Sequence, residues 1–385
     1  MTSTTFSQHI DFIKNLYINK SAVPLHEPCF WGNEKEYIIN CIDSTFVSSI
    51  GEYVEKFENQ ICNFTDAKHS VAIVNGTSAL HLALELVGVK PKSEVITQAL
   101  TFIGTCNAIN YCGAKPIFID ISPKTMGMSA ESLEKFLDKN TISQNGECIN
   151  KITGAKISAI LPMHTFGHPV EIDAIVNISQ SYNIPVVEDA AEALGSKYKN
   201  RHVGTMGNIG ILSFNGNKII TTGGGGMIIT DDAEIAKSAK HLSTTAKISH
   251  DYHFNHDAVG YNYRLPNINA ALGCAQLENI EIYLEKHREL SKIYKNHFKE
   301  TSIKYFEEPI ESESNYWLNT ILLRNEKERD QFLQEANASK IMLRPPWTLM
   351  NELEMYKDCA SDSLENTYLL SKLMINLPST CLRDH

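Results

Sequence analysis

Long apolar runs are missing from these 385 residues. The first twenty, Met1 to Lys20, hold none of signal-peptide length, and no segment is long enough to span a bilayer. A cytoplasmic protein with no membrane partner is the expectation. Cysteine occurs nine times but never as a C-x-x-C pair. In a chain of this length, that spacing excludes a disulfide frame or a thiolate zinc site and reads as scattered reduced thiols. An excess of positive charge is also missing. Lys and Arg total 35 against 45 Asp and Glu, a net charge of -10. With no helix-turn-helix pattern and no basic tail, nothing here offers a nucleic-acid surface, although a local basic pocket for a phosphate is still allowed. Internal repeats and low-complexity tracts are absent. His250, His253 and His256 cluster, but no acid or cysteine completes a ligand set at the right spacing, so no metal is expected.

What is there reads as an ordinary globular enzyme, with 43% hydrophobic and 21% charged residues. The length exceeds what one core usually serves. Seven short apolar runs, Val71–Asn75, Glu94–Thr97, Pro116–Asp120, Ile157–Pro162, Pro185–Asp189, Gly210–Phe214 and Gly226–Thr230, alternate with helical patterns. They are apolar on both faces, as strands buried on both sides of an α/β sheet must be. Thr77–Val87 reads as a helix: hydroxyl residues open it, Leu80, Leu84 and Val87 share a face, and Gly88 ends it. The expected fold is α/β, a mostly parallel sheet covered by helices. From Ala270 the texture becomes a charged amphipathic helix, an aromatic strand over Tyr316–Leu323 and a rigid Arg344-Pro345-Pro346-Trp347 turn. We therefore expect a large domain over residues 1–269 and a small α+β domain over 270–385. Asn140–Lys151 reads as a surface loop.

Three local signals carry chemistry. Asn75-Gly76-Thr77-Ser78 passes from a strand end through glycine into a helix, where free N–H groups and the helix dipole can seat a phosphate. A plain N-cap explains it as well. Asp189 closes a buried strand, at the edge where open α/β sheets bind ligands. A carboxylate buried there needs a positive partner. A protonated pyridine nitrogen at ~4 Å would be worth roughly 4 kcal/mol before desolvation at an effective dielectric near 20; a helix cap or structural ion pair is the alternative. Lys218 follows Ser213-Phe214-Asn215-Gly216-Asn217 and precedes the run Gly223–Gly226, whose backbone can approach a bulky group closely. In a dry site beside a cationic ring, a lysine becomes a Schiff-base nucleophile and proton shuttle. On the surface it is only a solvated charge.

The order and spacing of the three together resemble the sugar aminotransferases of the DegT/DnrJ/EryC1/StrS family, over about Gly32 to Pro378. The resemblance implies the aspartate-aminotransferase fold (fold type I), with a seven-stranded sheet, and pyridoxal 5'-phosphate as cofactor. It implies Lys218 as the catalytic lysine holding that cofactor, and Asp189 at the pyridine nitrogen. Gly76, Thr77, Ser78 and Ser213 fall at the phosphate, Phe102 where an aromatic ring stacks on the cofactor, and Glu192 near the ring hydroxyl, where the family commonly has Gln. Gly260–Asn267 resembles a stretch that crosses a dimer interface, which implies a homodimer with Asn262 and Arg264 reaching the neighbour's phosphate site.

Several further segments resemble one subgroup, the UDP-sugar 4-aminotransferases of legionaminic-acid and bacillosamine-type pathways. They are Phe30–Lys35, Thr45–Gly51, Thr244–Lys247 and the Arg344–Trp347 turn. This implies transfer of an amino group from L-glutamate to a UDP-2-acetamido-2,6-dideoxy-4-ketohexose. Trp31, Ser48, Ser49 and Gly51 would lie near the nucleotide-sugar substrate, and His164 would face the cofactor unless it is a structural histidine. The alternatives are an aminotransferase for another nucleotide sugar, a sugar dehydratase, or a non-catalytic carbohydrate-binding or regulatory protein on the same scaffold. The dehydratase relatives replace the lysine with histidine, whereas Lys218 is kept here. Loss of Lys218 or Asp189 would favour the non-catalytic reading, and both are present.

Overall fold

A computed structural model describes residues 6–382. Three helices open the chain: α1 (Ser7–Leu16), α2 (Glu34–Asp43) and α3 (Glu52–Thr65). Seven strands then build the main sheet: β1 (His69–Ile73), β2 (Glu94–Gln98), β3 (Lys115–Ile119), β4 (Ile157–Leu161), β5 (Val187–Asp189), β6 (Ile209–Ser213) and β7 (Gly226–Thr230). Each falls on one of the seven apolar runs. Their spatial order is β1-β7-β6-β5-β4-β2-β3, with β4 and β5 joined by the parallel bridges Ile160–Val186 and Met163–Asp189. Within this sheet β7 alone is antiparallel to its neighbours.

Alternate residues explain why the runs are apolar throughout. Ala72, Ile96, Leu212, Met227 and Ile229 point into one core, while Val71, Ile73, Val95, Ile211 and Ile228 point into a second core on the opposite face. Helices between the strands cover the two faces: α4 (Gly76–Leu86), α5 (Ile103–Tyr111), α6 (Ala130–Asn140), α7 (Ile172–Ser181) and α8 (Ala233–Ser243). The expected loop at Asn140–Lys151 is instead an antiparallel hairpin, Thr141–Gln144 with Glu147–Asn150. Its turn is Asn145-Gly146, with φ of 55° and 79°. This is the dipeptide that best tolerates two left-handed residues.

Helix α9 (Asn267–Leu277) packs on α2 and α3. The next helix, α10 (Ile280–Phe298), changes core along its length. Ile280, Tyr283 and Leu284 join the large core; Leu290, Tyr294 and Phe298 join a separate one. That second core lies against a small antiparallel sheet of β8 (Lys304–Tyr305), β9 (Asn319–Leu322) and β10 (Met374–Leu377), with α11 (Glu326–Ala338) beside it. Phe6, Ile10 and Ile13 at the start of the chain complete it, and Phe6 stacks on Phe332 at 4.5 Å. The aromatic strand expected over Tyr316–Leu323 begins only at Asn319, because Tyr316 has a φ of 48°. No described helix is long and apolar enough to cross a membrane.

Candidate active site

The carboxyl ends of β1, β5 and β6 and the start of α5 surround a cavity of about 380 Å³. Gly76 and Thr77 open α4 at its wall, and the Asn75 side chain caps the helix by accepting the Ser78 N–H at 2.8 Å. Ser213 stands beside Gly76: a Cβ built on that glycine would fall 3.0 Å from the serine Cβ. Gly225, within the Gly223–Gly226 run, also lines the cavity. A Cβ on Gly226 would sit 2.6 Å from the Asn75 carbonyl, so the close approach of β7 to β1 requires glycine here.

Asp189 is 2% exposed at the end of β5. Its carboxylate accepts the Thr105 hydroxyl at 2.7 Å and the Ala191 N–H at 3.2 Å. Burial still pushes its pKa up, so the anion is held at a cost that a facing cation would relieve. Lys218 reaches in from the turn after β6. Its ammonium is 3.2 Å from Glu192 Oε1 and 3.9 Å from the centre of the Trp317 ring. Glu192 is also fixed by the Phe166 N–H, 3.0 Å from Oε2. Burial pushes this carboxyl up to about 7, with the Lys218 charge pulling against it. Phe102, 47% exposed, faces the cavity and meets Trp347 edge-on at 6.1 Å.

Other expected residues lie elsewhere. Ser78 is not on the cavity wall and contributes its amide to the cap. Asn262 and Arg264 run beside the end of β1, 3.3 Å from each other, and do not line this cavity. Arg264 Nε is buried and without a hydrogen-bond partner among the described residues. Trp31 packs against Tyr283 with ring centres 5.2 Å apart. Ser48, Ser49 and Gly51 lie on the connection between α2 and α3, outside the cavity wall. His164 is a correction. It is fully buried beneath the site, with Nε2 on Glu188 at 3.0 Å and Nδ1 accepting the Val170 N–H at 3.2 Å, so neither nitrogen is left for a ligand. Glu188 is held low: burial would raise it, but His164 and the Gly204 and Gly207 amides outweigh that. His250 and His256 are occupied by backbone groups, and no group of three or more possible metal ligands occurs among the described residues.

Two site residues carried no local signal. Thr105 sits in an apolar helix, and Trp317 lies 99 positions beyond Lys218 (317 − 218). Only the closed fold brings them in.

A sheet of this order, with an aspartate and a lysine meeting at its carboxyl edge, is that of the fold-type I pyridoxal-phosphate enzymes. Two solved structures share the fold: the aminotransferase TlmJ from Streptoalloteichus hindustanus, and Helicobacter pylori PseC, an aminotransferase involved in the biosynthesis of pseudoaminic acid. Each has a TM-score of 0.85 and 23% identity, covering 93% of this chain and 94% of the other. Residues 28–382 match the DegT/DnrJ/EryC1/StrS aminotransferase family, and the chain belongs to it. It is a pyridoxal-phosphate-dependent sugar aminotransferase. GDP-perosamine synthase of Escherichia coli O157:H7 is 38% identical over 87% of this chain and 87% of its own length. The UDP-4-amino-4,6-dideoxy-N-acetyl-beta-L-altrosamine transaminase of Campylobacter jejuni is 34% identical over 74% and 68%. The residues present fit the cofactor: an amine, a buried carboxylate in need of a cation and a helix start face one cavity, with an exposed aromatic ring at its wall.

Proposed function

We propose that this enzyme moves the amino group of L-glutamate to the 4-keto carbon of a UDP-2-acetamido-2,6-dideoxy-4-ketohexose, for bacterial surface-glycan synthesis. The observation that carries the reading is the convergence of Lys218, Asp189 and the start of α4 on one cavity. Bound pyridoxal phosphate supplies an electron sink for the carbanion formed at the donor's α-carbon. Lys218 is the amine that carries the cofactor and, once free, moves the proton at that carbon. Asp189, oriented by Thr105, holds the ring nitrogen protonated. Gly76, Thr77 and Ser213 receive the phosphate and Phe102 covers the ring.

The Campylobacter relative supports the sugar chemistry, because its name specifies UDP, an N-acetyl group and a 4-amino-4,6-dideoxy sugar. The Escherichia relative favours a second reading, in which the nucleotide is GDP. A homodimer completes the proposal. Ile39, Ile42, Phe46, Val47 and Ile50 are each at least 43% exposed on α2 and the loop after it, an apolar patch that a second copy would cover. Arg264, with its unpartnered Nε, and Asn262 would then face the neighbour's phosphate. In that assembly Trp31, Ser48, Ser49 and Gly51 would meet the sugar nucleotide.

The test is to supply the purified protein with pyridoxal phosphate and L-glutamate, then with UDP- and GDP-linked 4-ketosugars in parallel. We expect 2-oxoglutarate in the first step and a UDP-aminosugar, identified by mass, in the second. An aminosugar formed only from the GDP substrate would shift the assignment to the second reading. Absence of 2-oxoglutarate would remove glutamate as the donor.

A further inference from the structure

We infer that Glu192 is the proton partner of Lys218: it takes the proton that the ammonium must lose before its nitrogen can act, and returns it when the ammonium re-forms. The inference rests on the reading of Lys218 as the reactive amine. In the exchange an N–H bond of the ammonium breaks and an O–H bond of the carboxyl forms. An ion pair becomes a neutral amine and a carboxylic acid, and the net charge of the pair stays zero.

Geometry carries the assignment. Glu192 Oε1 is 3.2 Å from Lys218 Nζ, within direct transfer distance. The Glu192 side chain is 1% exposed and that of Lys218 13%, so bulk water competes poorly for the proton. The carboxyl cannot swing away, because its other oxygen accepts the Phe166 N–H at 3.0 Å. Phe166 presents that amide from a left-handed backbone, φ 56°, which a non-glycine residue adopts only when its surroundings hold it there. The ammonium also lies 3.9 Å from the centre of the Trp317 ring, whose Nε1–H donates to the Asn217 carbonyl at 2.5 Å. The amine therefore has a π face and one carboxyl oxygen as near neighbours.

Other ionisable groups are poor competitors. Asp189 faces Glu192 and Lys218 but is already bound to Thr105 and the Ala191 amide. His26, on the connection between α1 and α2, feels the Lys218 charge, yet burial, the neighbouring His287 and that same charge hold its imidazole well below the ordinary histidine range. Glu192, raised by burial to about 7, has a proton affinity displaced toward that of an amine, the condition under which transfer in both directions is easy. A glutamine at this position has one acceptor oxygen, so it could keep only one of the two contacts, and it could not store a proton.

The experiment compares wild type with E192Q and E192D on the full chain freed of cofactor. Two readouts are taken across pH 5–9: the infrared carbonyl band of a protonated buried carboxyl, and the rate at which an acylating reagent modifies Lys218, followed by peptide mass. We expect a carboxyl band that fades near pH 7 in wild type and is lost in E192Q. The Lys218 acylation profile should carry an inflection at the same pH, also lost in E192Q. E192D, which keeps an acid one methylene shorter, should restore an inflection and so distinguish proton exchange from shape. A band that persists in E192Q, or superimposable Lys218 profiles, would overturn the assignment. Neither readout uses glutamate or sugar. Failure of the aminotransferase test with a shifted Lys218 profile would sink the proposed function alone, and the reverse result would sink this one alone.

Discussion

At the scale of single residues, the site turns on two buried carboxyls that are not interchangeable. Asp189 is bound by a hydroxyl and an amide and has no cation within hydrogen-bond distance among the described residues, whereas Glu192 already contacts one. Removing the Thr105 hydroxyl should therefore act through Asp189. A hydrogen bond to a charged group is worth about 1.5–3 kcal/mol, so T105V is expected to lower turnover roughly tenfold or more, and D189N further still, while K218A abolishes it. Pyridoxal-phosphate affinity, measured by equilibrium dialysis, should fall in D189N more than in T105V. Equal affinity in wild type, T105V and D189N would argue that Asp189 does not face the ring nitrogen. Asp189 was legible from its place at a buried strand end, and Lys218 from its place between a strand end and a glycine run. The sequence could not expose Thr105 or Trp317, whose roles exist only after contacts of long sequence separation form. His164 was misplaced for the converse reason: its position at a strand end was visible, but its partner Glu188 across the layer was not.

Among the elements, the seven strands were readable because burial on both faces leaves an unbroken apolar run, and that property is local. Their spatial order was not, since β7 inserts between β1 and β6 through contacts more than 150 residues apart in the chain, such as Val71 with Ile228. The glycine run shows how local composition and long-range packing divide the work. Gly224 has nothing within 4 Å of where its Cβ would be, and Gly226 would drive a Cβ into the Asn75 backbone. G224A is thus expected to change stability by no more than about 0.5 kcal/mol. G226A should cost about 3 kcal/mol, near the upper end for overpacking, because the obstacle is backbone and cannot rotate away. Urea unfolding midpoints of the two variants test this. G226A should also weaken phosphate retention, since the strand it displaces supports the start of α4. Equal midpoints would mean that β1 and β7 separate at little cost.

For the whole molecule, the buried histidines set the response to acid. His168 sits between Phe306 and Tyr316 with both ring nitrogens unpartnered among the described residues, and burial lowers it to about 3. His202, which accepts the Gly195 N–H and contacts the Val203 carbonyl, and His287 are each lowered by burial to about 4. In the unfolded chain all three protonate near 6.5. Between those values the unfolded state binds more protons than the native state, so the stability these histidines leave intact above pH 6.5 is lost progressively as pH falls toward 4. Each should remove about 2 kcal/mol by pH 5. Glu192 and Asp189 act in the opposite sense. Their native pKa values are raised, so over the interval above their unfolded values the native state binds the extra proton and gains stability on acidification. The cofactor-free protein should consequently destabilise below pH 6, with the two carboxyls offsetting part of the histidine contribution. H168L removes one buried imidazole without adding a charge. It should reduce the loss of stability between pH 7 and pH 5 by about 2 kcal/mol relative to wild type, read from urea midpoints at each pH, whatever its effect at pH 7. E192Q should make the same loss larger, because the carboxyl that gains from acid is gone. Parallel pH profiles for wild type, H168L and E192Q would place the acid response outside both the histidine cores and the active site.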